Sequence, residues 1–168
     1  SHVMSLTEAP SGRMQRVPRT DCTVYIDYAH TPDAIESALK ALRPHCRGKL
    51  WCVFGCGGER DIGKRPLMAK LAERLADRVV ITSDNPRSEN PTEIIDDIVS
   101  GLIEAENATV IEDRAAAIAW TIANATPSDF VLIAGKGHEK YQEVNGKCRP
   151  FSDIALANRA TKSWEASE

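Results

Sequence analysis

At 168 residues the chain is long enough for one domain with a proper core and short for two. It carries 21 basic and 24 acidic residues, a net charge of -3, with no run of like charge, which excludes nucleic acid as its main partner. No apolar run approaches the ~18 residues a membrane span needs, and no signal-peptide pattern is present, so a soluble cytoplasmic protein without a membrane partner is expected.

Ser1-His2-Val3-Met4 reads as a vector remnant before a domain covering 5–168. Residues 5–20 are polar, with Pro10, Gly12 and Pro18, and read as a loop or edge segment. Thr23–Ile26 is the first strand and ends at Asp27. The stretch Asp27-Tyr28-Ala29-His30-Thr31-Pro32-Asp33 leads into a helix through Leu42 that buries Ile35, Leu39 and Leu42. Asp27 either holds a nucleotide hydroxyl or a metal-bound water, or it caps the loop. His30 alone reads as a hydrogen-bonded structural histidine.

Lys49–Phe54 forms the second strand. The polar loop after it, Gly55-Cys56-Gly57-Gly58-Glu59-Arg60-Asp61-Ile62-Gly63-Lys64-Arg65-Pro66, opens a helix to Leu75. Its glycines permit close approach to a ligand and supply free amides for an anion. The dinucleotide fingerprint fails because Arg60 occupies the last glycine position. Gly58–Lys64 fits the spacing of a nucleotide phosphate loop, but Arg65 stands where Ser or Thr must bind magnesium.

Val79–Ile81 runs into Thr82-Ser83-Asp84-Asn85-Pro86-Arg87-Ser88-Glu89-Asn90-Pro91, then a helix from Thr92 to Leu102. Arg87, beside a proline on a strand-end loop, suits a two-pronged grip on a carboxylate or phosphate. A strand at Thr109–Ile111 precedes the N-cap Asp113 and a helix to Asn124, on which Trp120 reads as core. Phe130–Ile133 is the fifth strand and runs into Ala134-Gly135-Lys136-Gly137-His138-Glu139. Asn145-Gly146 joins Tyr141–Val144 and Cys148-Arg149 as a hairpin, and a last helix, capped by Ser152 or Asp153, runs through Trp164. The five cysteines read as reduced, buried thiols. Strand and helix alternate, so the fold class is α/β: a Rossmann-like, mostly parallel sheet with helices on both faces and a C-terminal antiparallel hairpin.

The loops at the strand ends offer Arg60, Arg87, Lys64 and Lys136 beside Glu59, Asp61 and Glu139. Such a mixture suits a zwitterion such as a free amino acid, or else a set of solvated ion pairs. Four of these stretches, Asp27-Tyr28-Ala29-His30-Thr31-Pro32, Gly55–Asp61 with Lys64-Arg65-Pro66, Asp84-Asn85-Pro86-Arg87 and Gly135-Lys136-Gly137-His138-Glu139, stand in the order found in Mur ligases. From Gly12 to Ala157 the chain resembles the C-terminal domain of that family's MurE type.

The resemblance implies an ATP- and Mg2+-dependent ligase of peptidoglycan synthesis that joins meso-diaminopimelate to UDP-N-acetylmuramoyl-L-alanyl-D-glutamate through an acyl phosphate. The Asp-Asn-Pro-Arg form marks the diaminopimelate-adding members; lysine-adding relatives lack the arginine. By the same resemblance, Asn85, Arg87 and Arg60, in the loop that also holds Asp84, grip the far carboxylate of the amino acid. Gly135, through its carbonyl, and Glu139 take its far ammonium, while Arg13, Asp27, Tyr28 and His30 face ATP. Gln15 departs from the glutamate that relatives often carry. The family's Gly-Lys-Thr/Ser phosphate loop, modified lysine, magnesium ligands and UDP-binding domain have no counterpart here, so a C-terminal piece inactive by itself is expected. A stand-alone amino-acid-binding module and a generic nucleotide-binding domain are the alternatives.

Overall fold

The structure, a computed structural model, describes residues 13–18 and 22–166, with side chains described to residue 160. The expected vector remnant, the segment up to Gly12 and the side chain of Trp164 lie outside the described residues. The elements are β1 (Gln15–Val17), β2 (Thr23–Asp27), α1 (Pro32–Leu42), β3 (Leu50–Phe54), α2 (Lys64–Leu75), β4 (Arg78–Ile81) and α3 (Pro91–Val99), then β5 (Thr109–Val110), α4 (Arg114–Asn124), β6 (Phe130–Ala134), β7 (Tyr141–Val144), β8 (Lys147–Pro150) and α5 (Asp153–Ala166).

Six strands form one sheet in the order β1-β2-β6-β3-β4-β5, and β7-β8 form a separate hairpin. Only β1 runs antiparallel within the large sheet, turning part of the expected edge segment into an edge strand. The other four pairings are parallel. The topology explains which face each helix takes. The chain moves the same way across the sheet from β2 to β3, β4 and β5, and back again from β5 to β6. Right-handed crossovers therefore place α1, α2 and α3 on one face and α4 on the other.

The side chains follow this division with the two-residue period of a strand. Tyr25, Leu50, Cys52, Phe54, Val79, Ile81 and Leu132 pack with Ile35, Leu39, Met68, Ile94 and Ile98 of the first three helices. Val24, Ile26, Trp51, Val53, Val80, Val131 and Ile133 pack with Ile118 and Ile122 of α4 and Ala157 of α5. Thr31, Asn90 and Asp113 cap α1, α3 and α4, each side chain accepting from a backbone N–H of the first turn.

Three expectations are corrected. Helix α3 stops at Val99, not Leu102, because Gly101 crosses the first turn of α2 so closely that a Cβ there lies 2.0 Å from the Pro66 carbonyl oxygen. Trp120 is 37% exposed and meets Trp51 edge-on at 6.0 Å, since it lies on the outer side of α4. Of the five thiols, all free, Cys22, Cys52 and Cys56 are buried, Cys46 is half-buried, and Cys148 on the hairpin is exposed. Burial pushes the Cys52 and Cys56 thiols up to about 12, which keeps them protonated. Among the described residues no helix is long and apolar enough to cross a membrane.

Candidate functional site

Because β2, β3, β4 and β6 are parallel, the loops that follow them leave from one edge of the sheet, where open α/β sheets bind ligands. A cleft of about 390 Å³ lies there, lined by Tyr28, His30, Thr31, Gly57, Arg60, Asp61, Lys64, Asp84, Asn85, Arg87, Gly135 and Glu139. All six residues expected to hold the amino acid line it, as do Tyr28 and His30. Asp27 and Arg13 do not; Asp27 lies at the base of the Tyr28 turn, and Arg13 is exposed near it.

The Asp84–Pro91 loop forms the floor. Asp84 and Asn85 are buried there, and Gly135 approaches them closely. Gly135 has φ +116°, and a Cβ on it would lie 2.6 Å from Asp84 Oδ2, so only glycine fits. The hairpin lines no part of the cleft but holds its floor from behind. Gln142 Nε2 donates to the Asp84 carbonyl at 2.8 Å, Glu143 N to Asn85 Oδ1 at 3.0 Å, and Arg149 braces Gln142 through its Oε1 at 2.6 and 3.1 Å. Arg87 N donates to the Glu143 carbonyl at 3.0 Å and Asn145 N to the Arg87 carbonyl at 2.8 Å. Pairing with the hairpin thus fixes Arg87, whose φ of +54° is unusual for a side-chain-bearing residue. Its guanidinium gives Nη1 to the Gly58 carbonyl at 2.9 Å and Nε to Glu143 at 3.4 Å, leaving Nη2 outside both bonds.

The glycine-rich loop serves a different purpose from the one expected of it. A Cβ at Gly55 would lie 2.2 Å from the Thr82 carbonyl oxygen, one at Gly58 1.9 Å from the Pro86 oxygen, and one at Gly57 2.8 Å from Arg87 Nη1. The glycines let this loop pack on the Asp84 loop rather than on an anion. The amides of 58 and 59 are likewise taken: Gly58 N donates to the Asn85 carbonyl at 2.8 Å, and Glu59 N donates to Glu89. Glu59 itself accepts from Ser88 and turns away from the cleft. Buried Arg65 ties the loops to α3 through Glu89 at 2.9 Å, Asp97 at 3.0 Å and the Gly57 carbonyl at 3.1 Å. Arg60 stays exposed at the mouth, with Nη1 on the Glu59 carbonyl at 3.1 Å.

On the opposite rim the Tyr28 ring meets His30 edge-on at 4.7 Å and His138 at 6.4 Å. His30 Nδ1 lies 2.9 Å from the Tyr28 carbonyl, and Lys64 Nζ donates to the His30 carbonyl at 2.9 Å. Asp27 Oδ1 accepts from Tyr28 N at 2.9 Å and Met14 N at 3.3 Å, so the carboxylate shapes the turn. Burial raises the Asp27 carboxyl above its usual range, against the opposing pull of those two N–H groups and of nearby Arg13. Among the described residues no group of three or more His, Cys, Asp and Glu side chains is placed to hold a metal ion.

The sequence does not show which residues build the cleft from behind, and Lys136 reads there only as one loop cation among several. Lys136 is fully buried beneath the cleft. Buried Arg114, paired with Asp153 at 2.7 Å, donates to the Ser83 carbonyl at 3.1 Å and the Ala134 carbonyl at 3.0 Å, fastening the ends of β4 and β6 to α5. The only signal for Arg114 was a charge at the first position of an alanine-rich helix.

The sequence that builds this cleft matches a known family. The model for "Mur ligase, glutamate ligase domain" matches residues 12–137, three quarters of the chain. The chain belongs to the Mur ligase family. A relative from Pseudomonas syringae pv. tomato named UDP-N-acetylmuramoyl-L-alanyl-D-glutamate–2,6-diaminopimelate ligase is 57% identical over 163 residues, which cover 96% of this chain and 34% of the relative. One of the same name from Pseudomonas aeruginosa is 56% identical over 159 residues, 94% of this chain and 33% of the relative. A solved structure of a ligase of that name superimposes with a TM-score of 0.87 at 43% identity, covering 94% of this chain and 32% of that one. The chain thus spans about a third of the length of the relatives it matches.

Proposed function

We propose that residues 5–168, after a vector remnant at 1–4, form the amino-acid-accepting domain of a ligase that adds meso-diaminopimelate to UDP-N-acetylmuramoyl-L-alanyl-D-glutamate. One observation carries this reading. A single cleft brings Arg60, Arg87 and Asn85 together with Glu139 and Gly135, cationic and amide donors beside a carboxylate, as a zwitterionic amino-acid end requires. The names of the relatives point to the same amino acid. In this reading Arg87, Arg60 and Asn85, with Asp84 in their loop, hold the far carboxylate, and Glu139 with the Gly135 carbonyl holds the far ammonium. The near amine is thereby aimed out of the cleft.

ATP enters as co-substrate from the rim of Tyr28, His30, Asp27 and Arg13, with Mg2+ held by other parts of the longer ligase. ATP phosphorylates the side-chain carboxylate of the D-glutamate, releasing ADP. The unprotonated amine of diaminopimelate attacks the acyl carbon, and the tetrahedral intermediate expels phosphate and loses a proton to leave an amide. This chain contributes alignment of the amine, a proximity effect, and no nucleophile of its own. The reaction belongs to peptidoglycan synthesis in the cytoplasm.

Calorimetric titration of the chain with meso-diaminopimelate and with L-lysine tests the reading. Binding of diaminopimelate alone, abolished in Arg87→Met, is expected, together with no phosphate release from ATP and both substrates. Equal binding of lysine refutes the assignment of Arg87, and turnover refutes the division of labour.

A further inference from the structure

Lys136 is one of several loop cations in the sequence, yet its place is unlike theirs. It is fully buried, and its Nζ lies 2.7 Å from Asn85 Oδ1, 3.3 Å from Glu139 Oε1 and 3.7 Å from Asp84 Oδ1. The rings of Tyr141 and Phe151 flank it at 5.9 and 5.8 Å. An ammonium in such a place has no route to water and must find all its partners within the protein.

The consequence falls on Asn85. Two donors, Lys136 Nζ at 2.7 Å and Glu143 N at 3.0 Å, converge on its Oδ1. A flipped amide would set its own NH2 against both, so Oδ1 must face inward. Nδ2 then faces Glu139, donating to Oε1 at 3.3 Å. Glu139 is fixed in turn: its Oε1 is shared by Lys136 and Asn85, and its Oε2 is engaged by neither. Charge points the same way. One ammonium among the carboxylates of Asp84 and Glu139 leaves the trio one negative charge in excess, which is complementary to a single incoming ammonium.

We propose that Lys136 is the positioning residue that sets the polarity of the cleft, holding Asn85 as a donor and Glu139 as an acceptor before any ligand arrives. Recognition of diaminopimelate through these two groups rests on the function proposed above; the arrangement itself does not. Without the ammonium, only the Glu143 N–H holds Asn85 Oδ1 inward, and the buried Asp84 and half-buried Glu139 carboxylates lose the cation between them.

The test uses the whole chain, isotope-labelled for NMR, in wild-type form and as Lys136→Met, which keeps the length and apolar stem. In the wild type the Asn85 side-chain NH2 is expected to show cross-relaxation to the Glu139 methylene protons. Lys136→Met loses these contacts while the backbone amide dispersion of the sheet persists. Lys136→Gln, a polar neutral replacement, serves as second variant and is expected to lose them as well. Titration with meso-diaminopimelate should then show binding at least about tenfold weaker and a reduced preference over L-lysine, the loss expected for charge-assisted bonds. Contacts absent in the wild type, or unchanged in both variants, overturn the proposal without reference to any ligand, as do unchanged affinity and selectivity. If the wild type binds neither amino acid while the contacts behave as expected, the functional reading fails and the positioning role of Lys136 stands.

Discussion

Removing Arg114 should be far more damaging than its distance from the cleft suggests. Arg114 and Asp153 have fully buried side chains, joined at 2.8 and 2.7 Å. Burial disfavours the Arg114 cation, but the charge and hydrogen bonds of Asp153 outweigh this and hold its proton more firmly than usual. Arg114→Met leaves the Asp153 carboxylate buried without its partner and strips the Ser83 and Ala134 carbonyls of a donor. Breaking a buried pair on one side costs about 3–5 kcal/mol. At about 2–4 °C per kcal/mol for a domain of this size, the melting temperature should fall by roughly 6–20 °C. The double variant Arg114→Met/Asp153→Leu removes the orphaned charge and should recover much of the loss, because a well-packed apolar pair can replace an ion pair. Urea unfolding and differential scanning calorimetry of the two single variants and the double variant would measure this. A fall below ~2 °C in Arg114→Met would refute the assignment of a structural ion pair. So would a double variant as damaged as the sum of the singles.

Two further perturbations follow from the geometry. Gly58→Ala forces a Cβ to within 1.9 Å of the Pro86 carbonyl, backbone that cannot yield cheaply, so a destabilisation of about 1–3 kcal/mol is expected in urea titrations. An unchanged midpoint would mean that the two loops are not in contact. Asp129 supplies the pH dependence: burial alone would raise its carboxyl, but the N–H groups of Thr126, Lys49 and Trp51 Nε1 together hold it below the usual range. A depressed folded-state value stabilises the protein above the unfolded value of about 3.9, and this contribution is lost as pH falls through the folded value. Stability measured from pH 6 downward should therefore fall less steeply in Asp129→Asn than in the wild type; parallel curves would exclude Asp129 as a contributor.

The sheet was legible in the sequence because its signals are local. Continuous apolar runs in Leu50–Phe54 and Phe130–Ala134, and caps such as Asp113, register without knowledge of any partner segment. The convergence of Arg60, Arg87, Asn85 and Glu139 was legible too, since each follows a parallel strand and parallel strands end together. What the loops do for one another was not. The spacing of Gly55, Gly57 and Gly58 shows that something comes close, and only the fold shows that it is the Thr82–Arg87 backbone and side chain rather than a phosphate. Nor does a lone Lys136 between two glycines declare that its ammonium will be buried on Asn85, or Arg149 that it braces Gln142.

That difference bears on how the cleft can be selective. Of the charges near it, Lys64, Arg65, Lys136, Glu59 and Glu89 are bound to neighbouring loops. The loops are held from three sides, by the Arg65 tie to α3, the hairpin on Arg87 and the Arg114 clamp beneath Ser83 and Ala134. A site so braced does not need to order its side chains when a ligand enters, and that ordering is a main cost of binding. It also cannot reshape itself around a ligand that lacks a partner for Arg87. The strained φ of Arg87 supports the same conclusion, because a side-chain-bearing residue stays in the left-handed region only where its surroundings over-determine it. Discrimination between an amino acid with a second carboxylate and one without it would then come from a guanidinium that cannot move away, more than from the number of contacts it makes.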